Sequence, residues 1–197
     1  MSAIGLVILA AGGSRRLGTP KQLLSYEGTS LLRRAAETAV ASSCRPIVVV
    51  LGASAAQCLP ELNDLPVSTV ENVQWSEGMG SSIRLGLIAV QTQSPEPLDA
   101  VVLMLCDQPL LTAVTLEALV VEYRSTACRL AASEYGEDCG VPALFDCSLF
   151  PELLRLDGAQ GAKQILRRYP AETHRISFAD GAVDIDTRRD CEQFVRP

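Results

Sequence analysis

The strongest constraint on the fold is a series of short, continuously apolar segments that lack the alternation of a half-exposed strand. They occur at 4–9, 47–51 and 100–105, and apolar residues between them recur at helical spacing, as over 31–40. Continuous apolar strands joined by helices are typical of a parallel sheet covered on both faces. The sequence therefore predicts βαβ units in a three-layer α/β fold with an open, mostly parallel sheet.

Weaker patterns complete the secondary-structure prediction. A short helix broken at Pro60 is expected over 54–62, and Thr112 is suited to cap a helix. Ser81 and Ser82 are expected as N-caps of the helix that follows them. Further strands are predicted at 67–70, 130–133, 140–145 and near 176 and 183, with two short helices in the last third of the chain. Because no linker or repeat interrupts the pattern, one domain over residues 1–197 is expected.

Composition limits the classes of partner. The chain is 48% hydrophobic and 20% charged, with a formal net charge of -6. This balance predicts a globular protein and argues against a nucleic-acid partner. The apolar N-terminal segment has no preceding Lys or Arg and is shorter than the ~20 residues of a membrane span. Seven cysteines without C-x-x-C spacing favour reduced side chains, so a cytoplasmic protein that does not enter a membrane is expected.

The first candidate site follows the first predicted strand. The strand runs into small residues, and two arginines and a lysine come next: Leu9, Ala10, Ala11, Gly12, Gly13, Ser14, Arg15, Arg16 and Lys21. Small residues let the backbone approach a phosphate closely, and the cations can neutralise a triphosphate. The segment matches neither the P-loop nor G-x-G-x-x-G, which argues against those two nucleotide-binding classes. We therefore predict a phosphate site here rather than a structural turn.

Two acidic segments are candidates for a metal site. Asp107 follows the apolar strand at 100–105, and Asp184 and Asp186 follow a short apolar segment near 183. In parallel sheets ligands bind at the carboxyl ends of strands, so Asp107 is well placed to hold Mg²⁺ beside a triphosphate. A turn at Asp107 and a helix cap at Asp186 are the structural alternatives.

A glycine- and serine-containing segment opens a predicted helix. Gly78, Gly80, Ser81 and Ser82 would place backbone N–H groups at the positive end of the helix dipole. An ordinary helix start explains each of these residues equally well. Trp75 nearby is suited to stack on a ring or to pack in the core.

Taken together, these segments resemble the nucleotidyltransferases of molybdenum cofactor biosynthesis, and among them the cytidylyltransferase branch. The motifs are Leu-Ala-Ala-Gly-x-Ser-x-Arg-Leu-Gly-x-x-Lys over 9–21, Asn-x-x-Trp-x-x-Gly-Met-Gly-Ser-Ser over 72–82, Asp-Gln-Pro over 107–109, Gly-x-Pro over 140–142 and Asp-Ile-Asp-Thr over 184–187. The resemblance spans nearly the whole chain. It implies a Rossmann-like nucleotidyltransferase fold.

The resemblance also implies roles for individual residues. Arg16 and Lys21 would grip the triphosphate, and Lys21 would stabilise charge during transfer. Asp107 and Asp186 would hold Mg²⁺ or Mn²⁺. The segment over 78–82 would lie near the base and the acceptor. Ala11 goes with cytidine, because the guanylyl branch has glycine there, so CTP is the expected nucleotide.

The expected reaction transfers CMP to the terminal phosphate of molybdopterin and releases pyrophosphate, and a molybdenum hydroxylase apoenzyme is the expected recipient of the product. The sequence offers no evident general base, since His174 is the only histidine and lies in a predicted strand. An acceptor phosphate is already anionic and needs no base.

The chain also departs from the family pattern. Ala159 replaces an aspartate in the segment over 158–162, Arg188 and Arg189 replace Pro and Glu, and Val141 replaces a polar residue. These differences leave two alternatives open. One is a cytidylyl- or uridylyltransferase acting on another phosphorylated small molecule, and the other is a non-catalytic protein that binds or delivers the cofactor.

Overall fold

The fold is built around a sheet of seven strands with helices on both faces. A computed structural model describes residues 2–14, 17–136 and 138–182. The strands of the sheet are β1 (Ile4–Ala10), β4 (Ile47–Leu51), β5 (Ser68–Glu71), β6 (Ala100–Leu105), β7 (Leu130–Tyr135), β8 (Asp138–Asp146) and β9 (Thr173–Ser177), and β2 (Ser25–Tyr26) with β3 (Thr29–Ser30) forms a separate hairpin. The helices are α1 (Leu31–Val40), α2 (Ala55–Cys58), α3 (Met79–Gln93), α4 (Ala113–Thr126), α5 (Phe150–Leu153) and α6 (Lys163–Arg168).

The order of strands across the sheet is β5-β4-β1-β6-β8-β7-β9. β1 pairs in parallel with both β4 and β6, and β8 is antiparallel to both of its neighbours. The chain therefore moves outward from β1 to β5 and then returns to the other side of β1 at β6. Such a reversal opens a crevice at the carboxyl ends of the two strands, where ligands bind in open α/β sheets.

Two apolar clusters, one on each face, hold the helices against the sheet. One contains buried residues of α1, α2 and α4, and the other contains buried residues of α3, α5 and α6. β1 contributes to both because its side chains alternate between the faces and all seven of its residues are buried. The predicted three-layer α/β architecture with a mostly parallel sheet is therefore confirmed.

The start of α3 corrects one prediction. The helix begins at Met79 with Gly78 as its N-cap, so Ser81 and Ser82 lie inside the first turn. Ser81 does not cap the helix, because its Oγ instead donates within the turn, to the carbonyl oxygen of Gly78 at 2.8 Å. Thr112 does occupy the N-cap position of α4, although its side chain makes no capping hydrogen bond. The strand expected near 183 lies outside the described residues.

Across the described ranges, none of the helices combines the length and the hydropathy that crossing a bilayer requires.

Candidate active site

A pocket of about 300 Å³ opens at the carboxyl ends of β1 and β6, where the strand order reverses. Its walls come from the segment after β1, from the short 3₁₀ helix at Lys21–Leu23, from the start of α3 and from the end of β6. The lining residues are Leu9, Ala10, Ala11, Gly12, Gly13, Lys21, Gln22, Trp75, Ser76, Gly78, Met79, Ser82, Leu105, Cys106 and Asp107.

The loop over 10–13 turns its carbonyl oxygens toward protein donors. The carbonyl oxygens of Ala10 and Gly12 accept hydrogen bonds from Gln22 Nε2 at 2.7 and 2.8 Å, and that of Ala11 accepts from the N–H of Ala53 at 3.2 Å. The backbone N–H groups of Gly12 and Gly13 donate to no acceptor within the described part of the chain. Successive N–H groups without protein acceptors form the kind of concavity that binds anions.

Lys21 and Asp107 face each other across the pocket. Their side chains form an ion pair through Asp107 Oδ2, and the Asp107 side chain is only 5% exposed. The backbone N–H of Lys21 donates to Ser14 Oγ at 2.8 Å, which fixes the start of the 3₁₀ helix against the loop. The pocket therefore contains a cation and a carboxylate side by side, held by two different segments.

One oxygen of the Asp107 carboxylate is available to bind a divalent cation. Asp107 Oδ1 is buried and has no hydrogen-bond partner among the described residues. A buried carboxylate oxygen without a donor is costly, and carboxylate oxygen is the ligand that Mg²⁺ and Mn²⁺ prefer. One available carboxylate oxygen fits an ion that takes few protein ligands, as Mg²⁺ does when it binds with substrate phosphates.

The opposite wall is built on the first turn of α3. Asn72, which is buried, donates from Nδ2 to Ser81 Oγ at 2.8 Å and to Ser82 Oγ at 3.0 Å. Ser82 lines the pocket, as do Trp75 and Met79. This wall therefore combines the apolar side chains of Trp75 and Met79 with two serines, Ser76 and Ser82, and Asn72 fixes the hydroxyl oxygen of Ser82.

Gly80, Ser81 and Ser14 were predicted to bind nucleotide but do not line the pocket. The Oγ of Ser14 instead accepts from the backbone N–H of Lys21. The N–H of Gly80 donates to the carbonyl oxygen of Gly158 at 2.9 Å, and a Cβ on Gly80 would lie 1.9 Å from the carbonyl oxygen of Asp157. The backbone of the 157–161 loop thus packs directly against the start of α3.

Gln108 connects the end of β6 to two other segments. Its Nε2 donates to the carbonyl oxygens of Val141 at 3.0 Å and Gly181 at 3.3 Å, and its Oε1 is buried without a partner among the described residues. Gly181 stands just before the segment that carries Asp186. Arg16 and Asp186 themselves lie outside the described residues.

Two further side chains bear on the chemistry. Burial, followed by the charge of Asp107, raises the pKa of the Cys106 thiol to about 12, so this group stays protonated at neutral pH. His174 lies in β9, where Nδ1 is 2.6 Å from Glu122 Oε1 on α4. The histidine is therefore a surface partner of a carboxylate and does not line the pocket.

The pocket brings together most of the predicted site. Its lining includes nine of the predicted residues: Leu9, Ala10, Ala11, Gly12, Gly13, Lys21, Gly78, Ser82 and Asp107. It also includes Met79, from the segment over 78–82, and four residues that were not predicted to belong to the site: Gln22, Ser76, Leu105 and Cys106. A polar residue between Lys21 and two leucines was the one available signal for Gln22.

Comparison with known proteins shows which family the chain resembles. The family model described as the MobA-like NTP transferase domain matches residues 6–174. The chain is 35% identical over 201 residues to the nicotine blue oxidoreductase of Paenarthrobacter nicotinovorans, a match that covers 96% of this chain and 94% of that protein. It is also 31% identical over 80 residues, 41% of this chain and 39% of the relative, to the probable molybdenum cofactor guanylyltransferase of Bacillus cytotoxicus.

Solved structures show the same fold. The crystal structure of Rv0371c from Mycobacterium tuberculosis H37Rv superposes with a TM-score of 0.80 at 30% identity, covering 98% of this chain and 97% of that one. A structure of Rv0371c in complex with manganese superposes with a TM-score of 0.77 at 26% identity, covering 98% of each chain. The fold is thus the Rossmann-like fold of nucleotidyltransferases. By the match over 6–174, the chain belongs to the MobA-like NTP transferase family.

Proposed function

We propose that this protein transfers a nucleoside monophosphate from a nucleoside triphosphate to a phosphorylated small molecule and releases pyrophosphate. The observation that carries the proposal is the loop over 10–13, in which the carbonyl oxygens of Ala10, Ala11 and Gly12 accept from protein donors, while the N–H groups of Gly12 and Gly13 meet no acceptor among the described residues. A polyanion is the ligand that such a loop binds best. Lys21 at the same pocket adds the cation that a triphosphate requires.

In this reaction each side chain has a positioning or electrostatic task. Lys21 binds the triphosphate and stabilises the charge that develops on it, and Arg16 assists from the same segment. Asp107, together with Asp186, would hold Mg²⁺ or Mn²⁺. The ion would supply positive charge to neutralise the phosphates and the leaving pyrophosphate. Phosphoryl-type transfer asks little more of a protein than such positioning and charge stabilisation.

For the nucleotide we propose CTP. Ala11 lines the pocket and carries a methyl group where the guanylyl branch has glycine, which narrows the space for a base. GTP is the nucleotide to compare with CTP, because one relative that matches part of the chain is named as a guanylyltransferase.

For the acceptor we propose the terminal phosphate of a molybdopterin-type cofactor. Among the described residues that line the pocket the only carboxylate is Asp107, which is paired with Lys21, and none is a histidine. A site with no spare base suits an acceptor that is already an anion. The apolar side chains of Trp75 and Met79 suit the ring system of such an acceptor. A molybdenum hydroxylase apoenzyme would then receive the product.

A second candidate function comes from the relative named nicotine blue oxidoreductase, which matches nearly the whole chain. If this chain is an oxidoreductase, it oxidises or reduces a small molecule in the same pocket. Consumption of NADH or NADPH with a dye acceptor, in the absence of any nucleoside triphosphate, is the assay that separates it from nucleotidyl transfer.

Pyrophosphate release tests the proposed function directly. CTP, GTP, ATP and UTP are each incubated with the protein and Mg²⁺, with and without molybdenum cofactor. We expect release with CTP only when the cofactor is present. Release with CTP and a different phosphorylated acceptor would assign another cytidylyltransferase. Binding of nucleotide or cofactor without release would indicate a delivery protein, and silence throughout would reject the assignment.

A further inference from the structure

The side chain of Gln22 lies beneath the loop over 10–13 and is almost completely buried, with 1% exposed. It belongs to the 3₁₀ helix that begins at Lys21. Its Nε2 donates to the carbonyl oxygen of Ala10 at 2.7 Å and to that of Gly12 at 2.8 Å. Both protons of the amide are therefore used on the backbone of the loop.

These two hydrogen bonds fix the direction of two N–H groups. In a trans peptide the C=O and the following N–H lie in one rigid plane and point in opposite directions. When Gln22 holds the carbonyl of Gly12, the N–H of Gly13 must point away from Gln22. The same geometry fixes the N–H of Ala11 through the carbonyl of Ala10, and the bond from Ala53 fixes the N–H of Gly12 through the carbonyl of Ala11.

Gln22 also contacts the segment that carries the cation. Ser14 Oγ donates to Gln22 Oε1 at 3.4 Å and accepts from the backbone N–H of Lys21 at 2.8 Å. One buried side chain is therefore connected both to the anion-binding loop and, through Ser14, to the start of the 3₁₀ helix at Lys21.

We propose that Gln22 is a positioning residue for phosphate binding, which sets the direction of the loop N–H groups by holding the carbonyl oxygens of Ala10 and Gly12. The inference rests on the proposed function, because it presumes that the loop binds the phosphates of a nucleotide. It adds that the affinity for phosphate depends on a side chain that does not need to touch the ligand.

A purely structural role for Gln22 makes a different prediction. If the side chain only fills space and satisfies two carbonyl oxygens, its loss destabilises the fold without changing the affinity of the folded protein. If it directs the N–H groups, its loss weakens the binding of every ligand held through phosphate, whatever its base. The discriminating measurement is therefore affinity in the folded protein, compared between a nucleotide and a bare phosphate ligand.

Gln22→Met tests the proposal, because methionine has nearly the volume of glutamine and no donor. Trp75, the only tryptophan, lines the pocket, so its fluorescence reports binding without a label. Titrations use CTP with Mg²⁺ and inorganic pyrophosphate with Mg²⁺. Losing two hydrogen bonds is expected to weaken both ligands by roughly tenfold or more. Ser42→Ala is the matched control, since Ser42 is also a buried hydrogen-bonding residue, donating to Ala39 at 2.7 Å and located just before the start of β4, away from the pocket.

Each outcome decides between the two roles. Unchanged affinity for both ligands in folded Gln22→Met would overturn the proposal, whereas a parallel loss that Ser42→Ala does not share would support it. Should Gln22→Met fail to fold, Gln22→Asn keeps a neutral amide but is one methylene shorter, so it cannot reach both carbonyl oxygens, and the same parallel loss is expected.

A measurement without ligand separates failure of this inference from failure of the proposed function. If the wild-type protein binds neither ligand, the nucleotidyl-transfer proposal fails by itself. The amide resonances of Gly12 and Gly13 should still shift in Gln22→Met and remain in place in Ser42→Ala. Resonances that do not move would reject the positioning role whatever the ligand.

Discussion

Lys21 and Asp107 neutralise each other across the pocket, although they belong to segments 86 residues apart in the chain. The ion pair uses Oδ2 of the aspartate, and Oδ1 lies buried without a partner among the described residues. The cation proposed to bind the triphosphate therefore occupies the carboxylate proposed to bind the metal. Binding of the metal and of the nucleotide should be coupled through this pair.

Replacing Lys21 by methionine should change the two affinities in opposite directions. Without the ammonium group, Asp107 loses a cation that competes with the metal, so Mn²⁺ should bind more tightly in the absence of nucleotide. The same variant should bind CTP more weakly, because a charge-assisted contact to phosphate is lost. The affinity for Mn²⁺ is measured by electron paramagnetic resonance of the free ion, and the affinity for CTP by the fluorescence of Trp75.

Lys163→Met is the control, because Lys163 forms a comparable ion pair with Asp138 at 2.8 Å on the surface. It should leave Mn²⁺ binding unchanged. Weaker Mn²⁺ binding in Lys21→Met would contradict competition for Asp107.

Asp107→Asn should abolish most of the transferase activity while preserving the fold. The amide keeps the shape of the side chain but removes the charge that would hold the metal, and the expected loss of turnover is on the order of 100-fold or more. Pyrophosphate release measures it, with circular dichroism to verify folding. Asp138→Asn, at an exposed ion pair outside the pocket, should retain wild-type activity. Full activity of Asp107→Asn would remove the metal role.

Gly12→Ala and Gly80→Ala should separate function from stability. A Cβ on Gly12 meets nothing within 4 Å, so the free energy of unfolding should change by less than about 0.5 kcal/mol. The methyl group would nevertheless keep phosphate away from the loop, and the Kd for nucleotide should rise.

A Cβ on Gly80 instead meets the backbone of Asp157 at 1.9 Å, so the 157–161 loop must move. We expect this variant to be destabilised by roughly 1–3 kcal/mol in urea unfolding. Equal stability losses in the two variants would show that the loop at Gly12 is packed as tightly as the start of α3.

Stability should fall in alkaline solution because of Cys106. Burial raises the pKa of this thiol to about 12 in the folded protein, whereas the unfolded chain titrates near the ordinary value of 9.0. The stabilisation is therefore complete below pH 9 and is lost as the pH rises toward 12. Each pH unit in that window removes on the order of 1 kcal/mol of the stabilisation from this thiol. The free energy of unfolding in urea, measured between pH 8 and 10.5, should fall less steeply with pH for Cys106→Ala than for wild type. Equal pH dependence of the two proteins would show that Cys106 does not cause the loss of stability.

The architecture could be predicted because the central strands are recognisable from local sequence alone. Continuous apolar runs at 4–9, 47–51 and 100–105 indicate buried parallel strands, and all three are strands of the sheet. The position of the candidate site was predicted by the same reasoning, since Gly12 and Asp107 come just after two of these strands. Adjacent strands in a parallel sheet place such residues at one edge.

Other features depend on contacts that leave no local pattern. The role of Gln22 arises from two backbone carbonyls about ten residues earlier, and nothing in the spacing reveals them. Ser81 and Ser82 looked like helix caps, because serine favours that position, but the helix starts two residues earlier at Met79. The antiparallel direction of β8 is likewise fixed by its neighbours in the sheet.

The contacts between the start of α3 and the 157–161 loop, called here the joint, have a consequence for where the sequence can change. The contacts in the joint are made by backbone atoms at glycines, since a Cβ on Gly158 would lie 2.3 Å from the carbonyl oxygen of Glu77. Position 159 carries a side chain, whereas Gly80 and Gly158 have no room for one. Ala159 is also exposed, so a larger side chain can be introduced there without breaking the backbone contacts of Gly80 and Gly158. This part of the surface can therefore change in sequence while the pocket beside β1 and β6 keeps its shape.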